Sequence, residues 1–215
     1  MRRIALCFFG QARFLNNLEC YNSHLTNILL PYQTDVFLHA WWTTGLTEYK
    51  PSKWSRLSSV PMDKYTIKKL RQFYNPLHAI YEPPRSFDDN EDMSNVKSHL
   101  YSIKRVGEAF RDYTSPNDYD FIVLSRFDNI IVSFPNLRDL ENGFYKMAGH
   151  PGVADQLFVF SPEYVNFMNV YDNFDVIIQE GGYEGLEKIK KDHFFRTFPG
   201  KDMSEASFDI KLARS

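Results

Sequence analysis

The chain has no apolar run near the roughly 18 residues that a membrane-spanning helix needs, so no transmembrane helix is expected. Cysteine is scarce. Cys7 and Cys20 are the only two in 215 residues, which excludes a disulfide scaffold and fits a reducing compartment. The opening "MRRIALCFFGQARF" is basic and then apolar for only about seven residues before Gly10. That is short for a signal-peptide core, and no small-residue cleavage site follows, so a soluble cytoplasmic protein is expected. Glycine is also sparse where it would matter. No GxGxxG follows the first strand-like segment and no GxxxxGK[ST] occurs, which removes the dinucleotide fingerprint and the P-loop. Positive charge is not in excess: 25 Lys and Arg stand against 27 Asp and Glu, for a net charge of -2. A nucleic-acid protein would need a basic face to neutralise phosphates. Small anionic ligands remain open, because a few local cations or a helix terminus suffice for them. Internal repeats, linkers and low-complexity segments are absent as well.

What is present is one domain's worth of alternating elements. Arg3 to Phe9 reads as a strand, with Cys7 as a small buried hydrophobe, and "GQAR" ends it. From Asn16 to Leu30, Leu18, Tyr21, Leu25 and Ile28 recur at helical spacing, and Pro31 stops the helix. Thr34 to Trp42 is a second strand whose consecutive apolar residues suit burial on both faces. After a polar loop over 43–60, Met62 to Tyr74 reads as a helix and Leu77 to Glu82 as a third strand. Ser94 to Tyr113 is a long helix with Val96, Leu100, Ile103, Val106 and Phe110 inward, and Phe121 to Leu124 is the fourth strand. This order predicts a mostly parallel central sheet with right-handed crossovers, flanked by helices in a single α/β domain. Further on, Gln156 to Ser161 reads as a strand. "SPEYVNFMNVYDNF" reads as a helix with Ser161 as cap and Pro162 first. The turn "EGGYEG" leads to another helix near Leu186 to Lys191. The chain stops at "KLARS" without a clear finishing element, which suggests a domain cut from a longer protein. Aromatic residues make up 16% of the chain; a Phe- and Tyr-rich core accounts for them, and sugar or base stacking is the alternative.

Ligands of open α/β sheets bind at the carboxyl ends of the strands. Those ends carry Gly10, Gln11 and Arg13 after strand one, His39, Trp41 and Trp42 after strand two, and Arg126 and Asp128 after strand four. Gly10 would let a backbone approach a ligand, and Arg13 could reach a phosphate. A carboxylate at the end of a buried strand is costly unless it is paired or binds a metal. Asp128 therefore has two readings. It pairs with Arg126, two residues away on the same face, or it holds Mg²⁺ or Mn²⁺ beside substrate phosphates.

The order of elements, with "RFD" (Arg126, Phe127, Asp128) closing strand four, resembles the nucleotide-sugar glycosyltransferases of the GT-A fold. In that family an Asp-x-Asp motif stands there and holds the metal and the donor diphosphate. Here arginine replaces the first aspartate. "ALCFFGQARF", "DVFLHAWW" and "ADQLFVFSPEYVNFM" are similar to a subgroup with this variant motif, which includes multidomain viral members that act on capsid glycans. The resemblance spans roughly residues 3 to 195 and rests on the order of the motifs.

It implies a metal-dependent transferase of hexosyl or deoxyhexosyl groups, with Mn²⁺ or Mg²⁺ as cofactor. The donor would be a nucleoside-diphosphate sugar, UDP-linked most often, and the acceptor a glycan or glycoprotein. Asp128 and His193 would hold the metal. Gly10, Gln11, Arg13, Lys104, Arg105, Arg126 and Gln156 would line the donor site. Asp155 would be the general base of an inverting enzyme. Lys104 and Arg105 also read as a solvated helix face, Asp155 as a turn residue and His193 as a structural histidine. His39 and His78 are weaker ligands, and Glu184 and Glu187 read as solvent-exposed.

"DDNED" (Asp88 to Asp92) imitates a calcium loop but has Met93 and His99 where Gly and Glu are needed. It reads as a loop, with Asp92 or Ser94 capping the next helix. Two other functions compete. A nucleotidyltransferase would want a Gly- and Lys/Arg-rich loop after strand one, which "GQARF" does not supply. A non-catalytic nucleotide- or carbohydrate-binding module with a degenerate site is favoured by the missing first aspartate.

Overall fold

A computed structural model describes residues 2–13, 15, 17–45, 48–49, 60–61, 64–148 and 156–213. Strand β1 (Arg3–Gly10) lies at the centre, and Ile4 to Phe9 are buried without interruption. Such a run is stable only with cover on both faces. After β1 come α1 (Leu18–His24), which continues as one π-helical turn over Leu25–Leu29, and β2 (Gln33–Trp41). Two short strands, β3 (Glu48–Tyr49) and β4 (Val60–Pro61), pair antiparallel before α2 (Thr66–Tyr74) and β5 (His78–Glu82). Helix α3 (Glu91–Tyr113) returns the chain to β6 (Phe121–Arg126). Then follow β7 (Asn129–Ser133), β8 (Phe144–Met147) and β9 (Leu157–Phe160). A 3₁₀ helix over Pro162–Asn173 runs into α4 (Phe174–Gly181), and α5 (Leu186–Thr197), β10 (Met203–Ala206) and β11 (Asp209–Leu212) complete the order.

The main sheet has the order β10-β8-β9-β6-β1-β2-β5. The run β5, β2, β1, β6 is parallel throughout, as the alternation predicts. Strand β9 is antiparallel to both neighbours, and β10 is parallel to β8. Strands β7 and β11 form an antiparallel pair of their own. Chain connections from β1 go to β2 on one side, while β6 lies on the other. The switch point of the sheet is therefore between β1 and β6, where the crevice of such folds opens.

Alternate residues feed two cores. Cys7, Phe9, Phe37, Ile122 and Leu124 face α3, the 3₁₀ helix and α5. Leu6, Phe8, Leu38 and Val123 face the α1 and α2 side with Ile28, Leu70 and Tyr74. Much of the aromatic content is core: Phe144 alone packs on Phe158, Phe160, Phe167 and Phe194. Both cysteines are free and buried, and burial pushes the Cys20 thiol up to about 12. Among the described residues no helix is long and apolar enough to cross a membrane.

Three expectations change. The cap of α3 is Asn90, whose Oδ1 accepts from the N–H groups of Asp92 and Met93; the helix starts three residues earlier than Ser94. Ser161 precedes the next helix with Pro162 in its first turn, but its hydroxyl is bonded to Gly143 instead of capping. That stretch is 3₁₀ as far as Asn173, broken by a kink at Asn169 where the backbone leaves helical geometry, and it packs on α3. Strands β7, β8, β10 and β11 are short, with mixed polarity, and the apolar pattern does not reveal them as separate strands.

Candidate functional site

The carboxyl end of β6 explains the arginine and aspartate that stand two residues apart. Phe127 between them is buried and stacks on Phe8, with ring centroids 5.1 Å apart. Anchoring that ring in the α1 and α2 side leaves Arg126 and Asp128 together beside it. Arg126 donates from Nε to Asp128 Oδ1 at 2.9 Å and from Nη2 to Oδ2 at 2.7 Å. This is the two-point fork that guanidinium and carboxylate geometry favours. Arg13, in the loop after β1, donates from Nη2 to the same Oδ2 at 2.7 Å. The Asp128 side chain is 3% exposed, against 12% for Arg13 and 18% for Arg126. Burial pushes the Asp128 carboxyl up; the two guanidiniums outweigh it and hold the group below its ordinary range. Asp128 is thus one carboxylate shared by two guanidiniums, and Arg13 and Arg126 each make further interactions besides.

Gly10 ends β1 at φ +102°, a conformation that favours glycine, and the space where a Cβ would stand is open. Its N–H donates to Ser102 Oγ at 2.7 Å, and Ser102 Oγ lies 2.6 Å from His39 Nδ1. His39 Nε2 is 3.9 Å from Glu82, which accepts from Arg105 Nε at 2.7 Å. The His39 ring and the Arg105 guanidinium together hold the Glu82 carboxyl down, to about 2. Helix α3 thus ties the ends of β1, β2 and β5 to one another. At the same end Trp41 and Tyr101 stack at 5.7 Å, and Arg85 lies over the Tyr101 and Phe87 rings.

Of the residues expected in the site, Gly10, Gln11, Arg13, Arg126, Asp128 and Gln156 come together. The Gln11 carbonyl accepts from the Arg13 N–H, and the Gln156 carbonyl accepts from the Arg126 N–H and from Asn129 Nδ2. Lys104 and Arg105 are directed to acidic partners instead, Asp172 for the first, Glu82 and Glu108 for the second. Asp155 lies outside the described residues.

The expected metal ligands do not fit a cation as they stand. Both Asp128 oxygens are engaged by guanidiniums, and a divalent ion there would meet two fixed positive charges. His193 is buried under the 3₁₀ helix. Its Nε2 is 3.3 Å from the Asn166 carbonyl, and its Nδ1 is 3.1 Å from Asn173 Nδ2. Burial holds the ring neutral, with its pKa lowered to about 4. That is the structural role the sequence also allowed. Among the described residues no three His, Cys, Asp or Glu side chains group as a metal site.

Ser102, Glu82 and His99 are the polar residues that sequence reading passed over. Ser102 is buried on the inward side of α3 with Val96, Ile103, Val106 and Phe110, and the half-buried His99 lies beside that stripe. Polar residues in register with an apolar stripe are the signal that marks them.

No known protein-family profile matches the chain, and no curated protein sequence does. Its fold is similar to the apo form of the glycosyltransferase GlyE of Streptococcus pneumoniae TIGR4. Identity is 9%, the match covers 96% of this chain and 45% of that one, and the TM-score is 0.47. A second GlyE structure gives 10% identity, 96% and 45% coverage, and a TM-score of 0.46. A glycosyltransferase involved in glycosylation of the major capsid of PBCV-1 gives 8% identity, 96% and 83% coverage, and a TM-score of 0.45. The chain spans less than half the length of GlyE.

Proposed function

We propose that this chain is a glycosyltransferase that takes a sugar from a nucleoside-diphosphate donor and passes it to a glycan or glycoprotein acceptor. A UDP-linked hexose or deoxyhexose is the favoured donor. The observation that carries this reading is the meeting, at the switch point between β1 and β6, of the open Gly10 backbone with two guanidiniums, Arg13 and Arg126, fixed on Asp128. A crevice there suits a ligand with a doubly anionic centre, and the variant motif stands where the family resemblance puts the donor diphosphate.

The chemistry follows from where charge develops. The acceptor oxygen forms a bond to the anomeric carbon, and the bond from that carbon to the β-phosphate oxygen breaks. The electron pair leaves with the nucleoside diphosphate, and the acceptor proton passes to a base, for which Asp155 is the proposed group in an inverting reaction. Negative charge grows on the departing phosphate, so fixed cations beside it lower the barrier more than they stabilise the bound donor. The family resemblance assigns Mn²⁺ or Mg²⁺ to this task. The described residues do not fit that ion, so no step is routed through it.

A thermal-shift screen of UDP, GDP, dTDP and ADP, each with and without Mn²⁺, tests the reading. A ligand at about 100 times its Kd adds roughly 2.7 kcal/mol. For a domain of this size that is a rise of roughly 5–10 °C. One nucleotide should raise Tm, and its sugar conjugate should release free sugar and nucleoside diphosphate on incubation. Binding without any turnover would favour a non-catalytic module, which the arginine in place of the first motif aspartate also supports. Release of pyrophosphate would mean nucleotidyl transfer, and no shift with any of the four would sink the proposal.

A further inference from the structure

We infer that Arg13 and Arg126, bracketed by Asp128, are themselves the receptor for the donor diphosphate and hold it without a divalent cation. This rests on the nucleotide-sugar reading above and concerns how that site works. In a site of the Asp-x-Asp kind, carboxylates recruit an ion and the ion meets the phosphates. Here the first motif position is a guanidinium and the remaining carboxylate has its two oxygens on three N–H donors, at 2.7, 2.7 and 2.9 Å. Asp128 is therefore a bracket: it fixes two long, flexible side chains on one carboxylate at the end of β6. Guanidiniums fixed in advance lose little freedom when an oxyanion arrives, and their planar forks suit phosphate oxygens.

The surroundings agree. His99 of α3 has its ring edge-on to Phe9, with centroids 5.0 Å apart, and its Nε2 is buried without a hydrogen-bond partner among the described residues. Burial first, then the Lys190 ammonium and the Arg126 guanidinium, hold this imidazole well below its ordinary pKa. Lys190 is itself fully buried, with Nζ 5.2 Å from the centre of the Phe158 ring.

The test is calorimetric titration of the full chain with UDP, GDP, dTDP, ADP and inorganic pyrophosphate, first in EDTA and then in Mn²⁺. The inference expects one nucleoside diphosphate to bind in EDTA with a Kd within about threefold of its value in Mn²⁺, well under the tenfold that 1.4 kcal/mol represents. Arg13→Gln leaves Asp128 its two-point partner, so the fold should stand, and binding should weaken by roughly tenfold or more, the worth of a charge-assisted contact. The paired Arg126→Gln/Asp128→Asn change keeps shape and removes both charges; it too should melt cooperatively and lose affinity to the same degree. Binding that appears only with Mn²⁺ would overturn the inference and leave the nucleotide-sugar reading in place. Wild-type affinity in both variants would overturn it as well. No binding of any of the five probes under either condition would remove the nucleotide-sugar reading, and the inference with it.

Discussion

Asp128 shows how much one side chain's meaning depends on a partner far away in sequence. Its pairing with Arg126 was legible, because residues two apart on an extended backbone share a face. Arg13 was expected at this site, but not as the second partner of Asp128, because 115 positions separate the two and only the pairing of β1 with β6 brings them together. The energetic consequence differs from that of a metal ligand. Removing a ligand from an exposed cation site costs little fold stability. Removing the carboxylate from between two partly buried guanidiniums leaves like charges facing each other, and losses of that kind are large. Asp128→Ala should therefore lower unfolding free energy by about 2–4 kcal/mol, seen as a fall in the urea midpoint at pH 7. Its carboxyl is held below its ordinary range, so this contribution is complete above the unfolded pKa and is lost as pH falls through the lower folded value. The wild-type excess over the alanine variant should shrink as the buffer is taken down from pH 5. A variant as stable as wild type at pH 7 would mean that the ion pairs contribute nothing to the fold.

At the scale of elements, α3 holds the most. Its inward stripe was read correctly from apolar spacing, and its start was misplaced only because Asn90 outcompeted the acidic residues after it as cap. The 3₁₀ helix over Pro162–Asn173 was not legible as such. An apolar stripe at three- and four-residue spacing is shared by α and 3₁₀ geometry, and the choice between them lies in contacts with α3. Gly107 lies at one of those contacts: a Cβ at that position would lie 2.9 Å from Met168 Cβ. Because that neighbour is rooted in its own backbone, one helix must move. Alanine normally gains about 1 kcal/mol over glycine inside a helix. Here the overlap should outweigh that gain, so Gly107→Ala should be destabilising by roughly 1–2 kcal/mol net. The same shift would disturb Ser102 and, through it, the Gly10 N–H, so the Kd for the bound nucleotide should rise in the same variant. Urea melts and nucleotide titration of this one protein check both; a stabilised variant would show that the crossing is loose.

Across the whole molecule, the parallel half of the sheet was readable because each strand is buried on both faces and each crossover carries a helical stripe. The antiparallel half was only partly readable, since short strands with mixed polarity take their places from neighbours rather than from their own pattern. The two cores that result seal several histidines from water, and this sets the protein's response to acid. His24 and His193 are fully buried, and burial lowers the pKa of each to about 4. His39 and His99 are shifted the same way. A histidine that is neutral when folded and ordinary when unfolded favours the unfolded chain once the solvent can protonate the latter. Stability is complete above about pH 6.5, the unfolded value, and drains as pH falls toward the folded value. Between pH 7 and pH 5 His24 and His193 should each cost about 2 kcal/mol, a large share of the roughly 5–15 kcal/mol that holds a domain together. The urea midpoint should therefore drop steeply over that range, before carboxylate titration begins. His193→Gln keeps a donor and an acceptor for Asn173 and the Asn166 carbonyl and has nothing to protonate, so its midpoint should fall less between the same two pH values. His24→Gln should do likewise through its contact with the Tyr74 hydroxyl. A wild-type midpoint that stays flat from pH 7 to pH 5 would show that these rings are reached by water, and that the two cores are not closed over them.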